Sequence, residues 1–146
     1  MKTNILKEGS IFDVPCTILV NPVNCVGVMG GGLALEFKKR YPNMYKIYQE
    51  DCKYNNIAIG KCSMFIVDNN LTIINFPTKL HWKNPSKYYY IAFGLRSLHS
   101  MLAEGDIVNI PALGCGLGGL KFEIVKELVE EVEWPNATIN LFAPKE

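Results

Sequence analysis

Two glycine-rich turns, each set between an apolar run and an amphipathic stretch, constrain this chain more than any other feature. The first follows residues 16–20, an apolar, partly β-branched run bounded by Pro15 and Asn21 that reads as a buried strand. NPVN then supplies Asn21 and Asn24. Gly27, Gly30, Gly31 and Gly32 come next, after which Leu33, Phe37 and Tyr41 recur at helical spacing. The second turn follows the strand-like residues 106–110, where PALGCGLGGLKF sets Gly114, Gly116, Gly118 and Gly119 directly ahead of another amphipathic helix. Glycine admits close backbone approach to a ligand, and a helix N-terminus offers unpaired N–H groups with positive dipole to an anion. One such turn is ordinary punctuation. Two in 146 residues point to two backbone loops gripping one extended ligand, and so to a diphosphate-bearing nucleotide.

The rest of the chain supports an α/β reading. Strands are expected over residues 3–7, 16–20, 61–67, 71–76, 106–110 and 138–142, with a hairpin about Asp68, Asn69 and Asn70. Helices are expected over residues 32–41, 42–53, 86–103 and 121–133, with Pro42 at a first helical position, Ser86 as an N-cap and Gly105 as a stop. Ile91, Leu95, Leu98 and Leu102 form one apolar stripe, and Phe122, Val125, Leu128, Val129 and Val132 another. One-sided helices interleaved with strands predict a single three-layer α/β/α domain over residues 1–146, its sheet mixed because of the hairpin and about six-stranded. In such sheets ligands lie beyond the carboxyl ends of the strands, where both glycine turns fall. A composition of 49% hydrophobic residues suits one core, and a net charge of +1 gives no global attraction to nucleic acid or membrane. No membrane-length apolar stretch or signal-peptide centre occurs, so a cytoplasmic monomer is expected. The five cysteines are scattered, without CxxC or a histidine pair, and indicate neither disulfides nor a metal site.

Nucleotide motifs narrow the choice. No Gly-Lys-Ser/Thr follows a glycine turn, which removes the Walker P-loop. Gly114, Gly116 and Gly119 match GxGxxG literally, yet the acidic residue needed about 20 positions on is Ile139. NPVN, VMGGGLALEFKKRYP and PALGCGLGGL, in that order and spanning nearly the whole chain, resemble the macrodomain family, which binds ADP-ribose. VGVMG, LALEFKKRYP, INFPTKLHW and LGCGLGGL are most similar to the branch that removes ADP-ribose from thymidine in single-stranded DNA as an antidote to a toxin.

That resemblance implies roles for particular residues. Lys79, in FPTKLHW, is the amine placed over the distal ribose, to attack the anomeric carbon or stabilise charge on the departing group. Asn24 hydrogen-bonds that ribose and Asn21 supports its loop. Gly30, Gly31, Gly32 and Leu33 form the sugar side of the cradle. Gly114 with the N–H groups of Cys115, Gly116, Leu117, Gly118 and Gly119 forms the diphosphate side. Phe142 is a candidate to stack on adenine, or equally a core phenylalanine. Many macrodomains bind the adenine amino group through Asp in Gly-Asp-Ile, where this chain has Gly9, Ser10 and Ile11; Ser10 or Asp13 would have to substitute. The eukaryotic lysine-dependent relatives carry an aspartate where Gly118 stands, and its absence favours DNA over acidic side chains as substrate. No cofactor or metal is called for.

Charge patterning agrees. Residues 69–103 contain no acid, whereas Lys79, Lys83, Lys87 and Arg96 alternate with His81, Trp82 and Tyr88, Tyr89 and Tyr90, a pattern suited to single-stranded nucleic acid. His81, Trp82 and Lys83 are the expected contacts. The expected activity is hydrolysis of the bond between ADP-ribose and a base. The alternatives are action on ADP-ribose 1″-phosphate or a modified protein, or non-catalytic ADP-ribose binding.

Overall fold

The computed structural model describes residues 2–145. Its elements run β1 (Lys2–Leu6), β2 (Ile18–Asn24), α1 (Gly32–Arg40), α2 (Pro42–Lys53), β3 (Ser63–Asp68), β4 (Leu71–Lys79), α3 (Tyr88–Met101), β5 (Ile107–Ile110), α4 (Phe122–Glu130) and β6 (Thr138–Phe142). Among the described residues these form a six-stranded sheet ordered β1-β6-β5-β2-β4-β3. Every pairing is parallel except that of β3 with β4. One core packs the sheet against α3 and α4 through Ile91, Leu95, Leu98, Val125 and Val129. The other packs it against α1 and α2 through Phe37, Met44 and Tyr48. The three-layer mixed-sheet expectation is met. No helix of the described residues is long and apolar enough to cross a membrane.

Local chemistry explains the element ends. Lys38, Lys39 and Arg40 fill the last turn of α1, where cations oppose the helix dipole, and Pro42 opens α2 without giving up an intrahelical bond. Asn70 donates its N–H to Asp68 Oδ1 at 2.7 Å, closing the β3–β4 turn as an Asx turn. The structure departs from the sequence reading in β2, which runs on through Pro22 to Asn24 instead of stopping at residue 20. Its register with β5 covers only Ile18 and Leu19, so Pro22 lies where the strand has a single neighbour and a missing N–H is tolerated. Ser86 does not cap α3. Lys87 occupies that position without a side-chain bond, and the Ser86 hydroxyl donates instead to the Thr78 carbonyl. The helix closes at Met101, ahead of Gly105, which turns the following loop at φ +88° and donates its N–H to the Asn136 carbonyl.

Helix α3 sits directly on β4 because Gly94 faces the fully buried ring of Phe76. A Cβ at residue 94 would fall inside that ring. Gly94→Ala is therefore expected to lower stability by about 2 kcal/mol, read as a lower urea midpoint at unchanged slope. An unchanged midpoint would show that helix and strand separate freely.

Candidate functional site

Parallel pairing puts the carboxyl ends of β1, β2, β4, β5 and β6 along one edge of the sheet, and both glycine loops leave from that edge. Asn24, the last residue of β2, is the cross-strand partner of Lys79, the last residue of β4. Just before this pair the register slips: Val23 faces Pro77, Asn24 faces Lys79, and Thr78 is the extra residue. Such a bulge re-aims the side chains beyond it. Lys79 ends half-buried with its Nζ 3.4 Å from the Trp82 carbonyl, which accepts a hydrogen bond from it.

Asn24 is spent largely on its own loop. Its Oδ1 accepts from the N–H groups of Val26 (3.0 Å) and Val28 (3.4 Å), and its Nδ2 donates to the Val28 carbonyl at 2.7 Å. The Tyr48 hydroxyl lies 2.7 Å from the Asn24 carbonyl and 2.8 Å from Oδ1. Burial pushes the Tyr48 phenol far above its ordinary value, which keeps it a donor. One amide N–H of Asn24 has no acceptor among the described residues. Asn24 thus shares the support of the loop with Asn21, whose amide reaches the sulfur of Met29 in the same loop. Asn21 is fully buried, donates to Asn75 Oδ1 at 3.0 Å beneath Met29, and has no surface to offer a ligand. Its Oδ1 is buried without a hydrogen-bond partner among the described residues.

The second loop is held by α3 and by its own turns. The Ser86 N–H donates to the Gly118 carbonyl at 3.0 Å and the Tyr88 hydroxyl accepts from the Lys121 N–H at 3.0 Å. Ser86 also bonds Thr78, so one residue joins the second loop to the strand end that carries Lys79. Not all the expected phosphate donors are free. The Cys115 N–H goes to the Ala112 carbonyl and that of Gly119 to Gly116. The N–H groups of Gly116, Leu117 and Gly118 have no acceptor among the described residues. Leu117 stands at the loop tip, 94% exposed. In the first loop α1 starts without a side-chain cap or an acidic first turn, which leaves the donors at Gly32 and Leu33 unspent.

Other expected contacts divide. His81, Trp82 and Lys83 do come together beside Lys79: the imidazole stacks on the indole with ring centres 5.4 Å apart, and Lys83 Nζ lies 5.1 Å from the indole. Phe142 is a correction. Its ring belongs to the core with Ile11 and Leu19 and is 6% exposed, too little for stacking on a base. The Ile11 side chain is in that core too, so only the backbone of the turn it occupies is open to adenine. Ser10 shapes that turn by accepting the Phe12 N–H at 3.2 Å. Asn109, which the sequence reading passed over, fixes the turn from below by donating to the carbonyls of Ile11 (3.0 Å) and Val14 (2.8 Å). An asparagine inside the apolar run IVNI was the available sign, because a buried amide in a central strand requires partners. Tyr48 and Ser86 gave no comparable sign. Two clefts of about 520 and 610 Å³ open elsewhere, around residues 134–138 and residues 15–18, and hold none of these groups.

The Macro domain family model matches residues 20–129. The chain belongs to the Macro domain family. Its sequence is 48% identical over 127 residues to a DNA ADP-ribosyl glycohydrolase of Mycobacterium tuberculosis, covering 82% of this chain and 36% of that protein. The macrodomain of Thermus aquaticus DarG superposes with a TM-score of 0.87 at 32% identity over 98% of this chain and 99% of the other. Thermosipho africanus DarTG, solved with ADP-ribose, gives a TM-score of 0.79 at 36% identity over 94% of this chain and 41% of the other. The chain spans about a third of the length of the DNA ADP-ribosyl glycohydrolases it matches.

The glycines of this macrodomain differ in what requires them. Gly114 has φ +73°, and a Cβ there would meet Leu120 at 2.8 Å and the Ser86 hydroxyl at 2.9 Å; at Gly118 it would strike the Gly114 carbonyl. Gly31 and Gly116 have neither a left-handed φ nor any atom within 4 Å of an added Cβ. Neither conformation nor packing calls for glycine there, which leaves room for a ligand as the reason. Gly31→Ala and Gly116→Ala are expected to keep Tm and to weaken ADP-ribose binding at least about tenfold by calorimetry, whereas Gly114→Ala lowers Tm as well. Undiminished affinity in both of the first two would show that these loops do not hold the ligand.

The thiols beside the site are not nucleophiles at neutral pH. Burial pushes both Cys25 and Cys115 up to about 11, with the neighbouring Cys52 adding at the first and Glu123 at the second. Alkylation of Cys115 by iodoacetamide in the folded protein is expected to be slow at neutral pH and to rise as pH climbs toward that value. Rapid labelling at neutral pH would contradict it.

Proposed function

We propose that this macrodomain is a glycohydrolase that releases ADP-ribose from a base of single-stranded DNA, thymidine being the expected base, and so reverses modification by a toxin. The observation that supports this reading most is the pairing of Asn24 with Lys79 at adjoining strand ends, beside the start of the first glycine loop. The names of the relatives agree with it, including that of a Thermosipho africanus protein that fuses a DNA ADP-ribosyl transferase to the glycohydrolase.

In the proposed reaction the diphosphate lies against the free N–H groups of residues 116–118, and the distal ribose against Gly31 and the remaining Asn24 amide hydrogen. The Lys79 amine, after passing a proton to solvent, uses its lone pair to form a bond to the anomeric carbon. The carbon–nitrogen bond to the base breaks, and the base leaves with that electron pair and takes a proton from water. Loss of a proton and opening of the ribose give an imine, which water hydrolyses to free ADP-ribose and the original amine. Trp82, half exposed beside that amine, is the surface on which the departing base stacks.

The test is incubation with ADP-ribosylated single-stranded oligonucleotide. Lys79→Ala is expected to lose at least about a hundredfold in turnover while still binding ADP-ribose. Borohydride added during wild-type turnover is expected to leave an adduct on Lys79. Full turnover by Lys79→Ala would refute the lysine mechanism. Binding of ADP-ribose with no release from DNA would make the protein a binder, and release of phosphate from ADP-ribose 1″-phosphate alone would make it a phosphatase.

A further inference from the structure

Helix α3 carries an exposed stripe that neither the cradle nor the amine uses. Tyr89, Phe93 and Arg96 stand four and then three residues apart and so share one helix face. Tyr89 is 51% and Phe93 46% exposed, while the neighbouring Tyr90 is buried and Tyr88 is tied to the second loop. The two open rings meet edge-on at 5.9 Å. Each carries a cation, with Lys87 Nζ 5.9 Å from the Tyr89 ring and the Arg96 guanidinium 5.8 Å from that of Phe93. Trp82 with Lys83 repeats the pattern at the mouth of the site. Among the described residues none of Lys83, Lys87 and Arg96 has an ion-pair partner. No acid occurs from residue 69 to residue 103, and the exposed Lys61 follows Gly60, which packs on Phe93.

We propose that this face of α3 is a track for the nucleotides flanking the modified base, so that the strand leaves the site over Trp82 and runs along Tyr89 and Phe93 toward Arg96. The inference rests on the reading of the site as one that acts on nucleic acid. Rings with open faces, each beside an unpaired cation, match bases and phosphates in alternation. A protein partner docking through apolar contact would bury those cations without counter-charges, which is costly. Residues 89–96 span about 10 Å of helix, room for about three stacked nucleotides.

The experiment compares wild type, Tyr89→Ala/Phe93→Ala and Arg96→Ala on an ADP-ribosylated trinucleotide and on a long ADP-ribosylated strand, and measures binding of unmodified oligothymidine by fluorescence anisotropy. The aromatic double variant is expected to raise KM for the long strand about tenfold and to leave kcat and the trinucleotide KM unchanged. Arg96→Ala is expected to flatten the salt dependence of long-strand binding by about 0.7 in log–log slope. If long-strand KM and oligothymidine affinity both stay at wild-type values in the double variant while DNA is still cleaved, the track is refuted and the glycohydrolase reading stands. If no DNA is cleaved at any length, that reading fails, and the oligothymidine measurement alone decides the track: weaker binding by the double variant upholds it, and equal or absent binding overturns it.

Discussion

The parallel register of β2 against β4 is the constraint on which the site depends. It brings Asn24 and Lys79 together although 55 positions separate them in the chain, and the bulge at Thr78 sets which way the lysine points. A slip of one residue would turn every side chain of β4 to the opposite layer and carry the lysine off the mouth. Register here is fixed by burial. Ile73 is fully buried in one core and Ile74 and Phe76 in the other, and the Phe76 ring fills the space that Gly94 leaves on α3, a fit that a slipped strand would lose. The connection from β2 to β4 runs through α1, α2 and β3, and the tight turn after β3 reverses the chain so that β4 lies parallel to β2.

Around that register the chain buries amides rather than hydrocarbon at several points, and each amide steers a loop. Asn4, Asn140 and Asn109 form a ladder across β1, β6 and β5, with 3.0 Å between successive members, and the ladder ends on the carbonyls of the 9–14 turn. Asn21 and Asn75 form a second pair between β2 and β4, with the Asn75 amide donating to the sulfur of Met44. A buried amide is costly unless bonded, so these residues accept few alternative geometries. Hydrocarbon in the same places would pack as well but would leave the loops above without anchors.

Much of the fold was legible because it depends on periodicity: the strand and helix order, the two apolar stripes and the hairpin turn are all local patterns. The glycine loops were legible for the same reason. Residues whose role is settled by contacts distant in sequence were not. Pro22 reads as a strand breaker until β5 is seen to leave its side of β2. Ser86 reads as a helix cap until Thr78 and Gly118 are seen beside it. Phe142 reads equally as core or as a stacking ring, and the packing of Ile11 against it decides for the core. Between the two asparagines of NPVN, sequence order alone could not say how the support of the loop is shared.

A loop that grips a diphosphate, the role proposed for both glycine loops, needs free N–H groups and bare backbone, features that leave it poorly held in the absence of ligand. The chain resolves this by bracing each loop at its ends and leaving the middle open. Asn24 and Tyr48 fasten the start of the first loop, while Gly31 faces empty space. Ser86 and Tyr88 fasten the second, while Gly116 and Leu117 keep their donors unspent. Fixing the ends removes most of the ordering cost that binding would otherwise meet, and the open donors supply the attraction. Because Ser86 bonds the Gly118 carbonyl through its backbone N–H and the Thr78 carbonyl through its hydroxyl, the second loop and the strand end that carries Lys79 are joined at a single residue. Neither can shift without drawing on a hydrogen bond that holds the other.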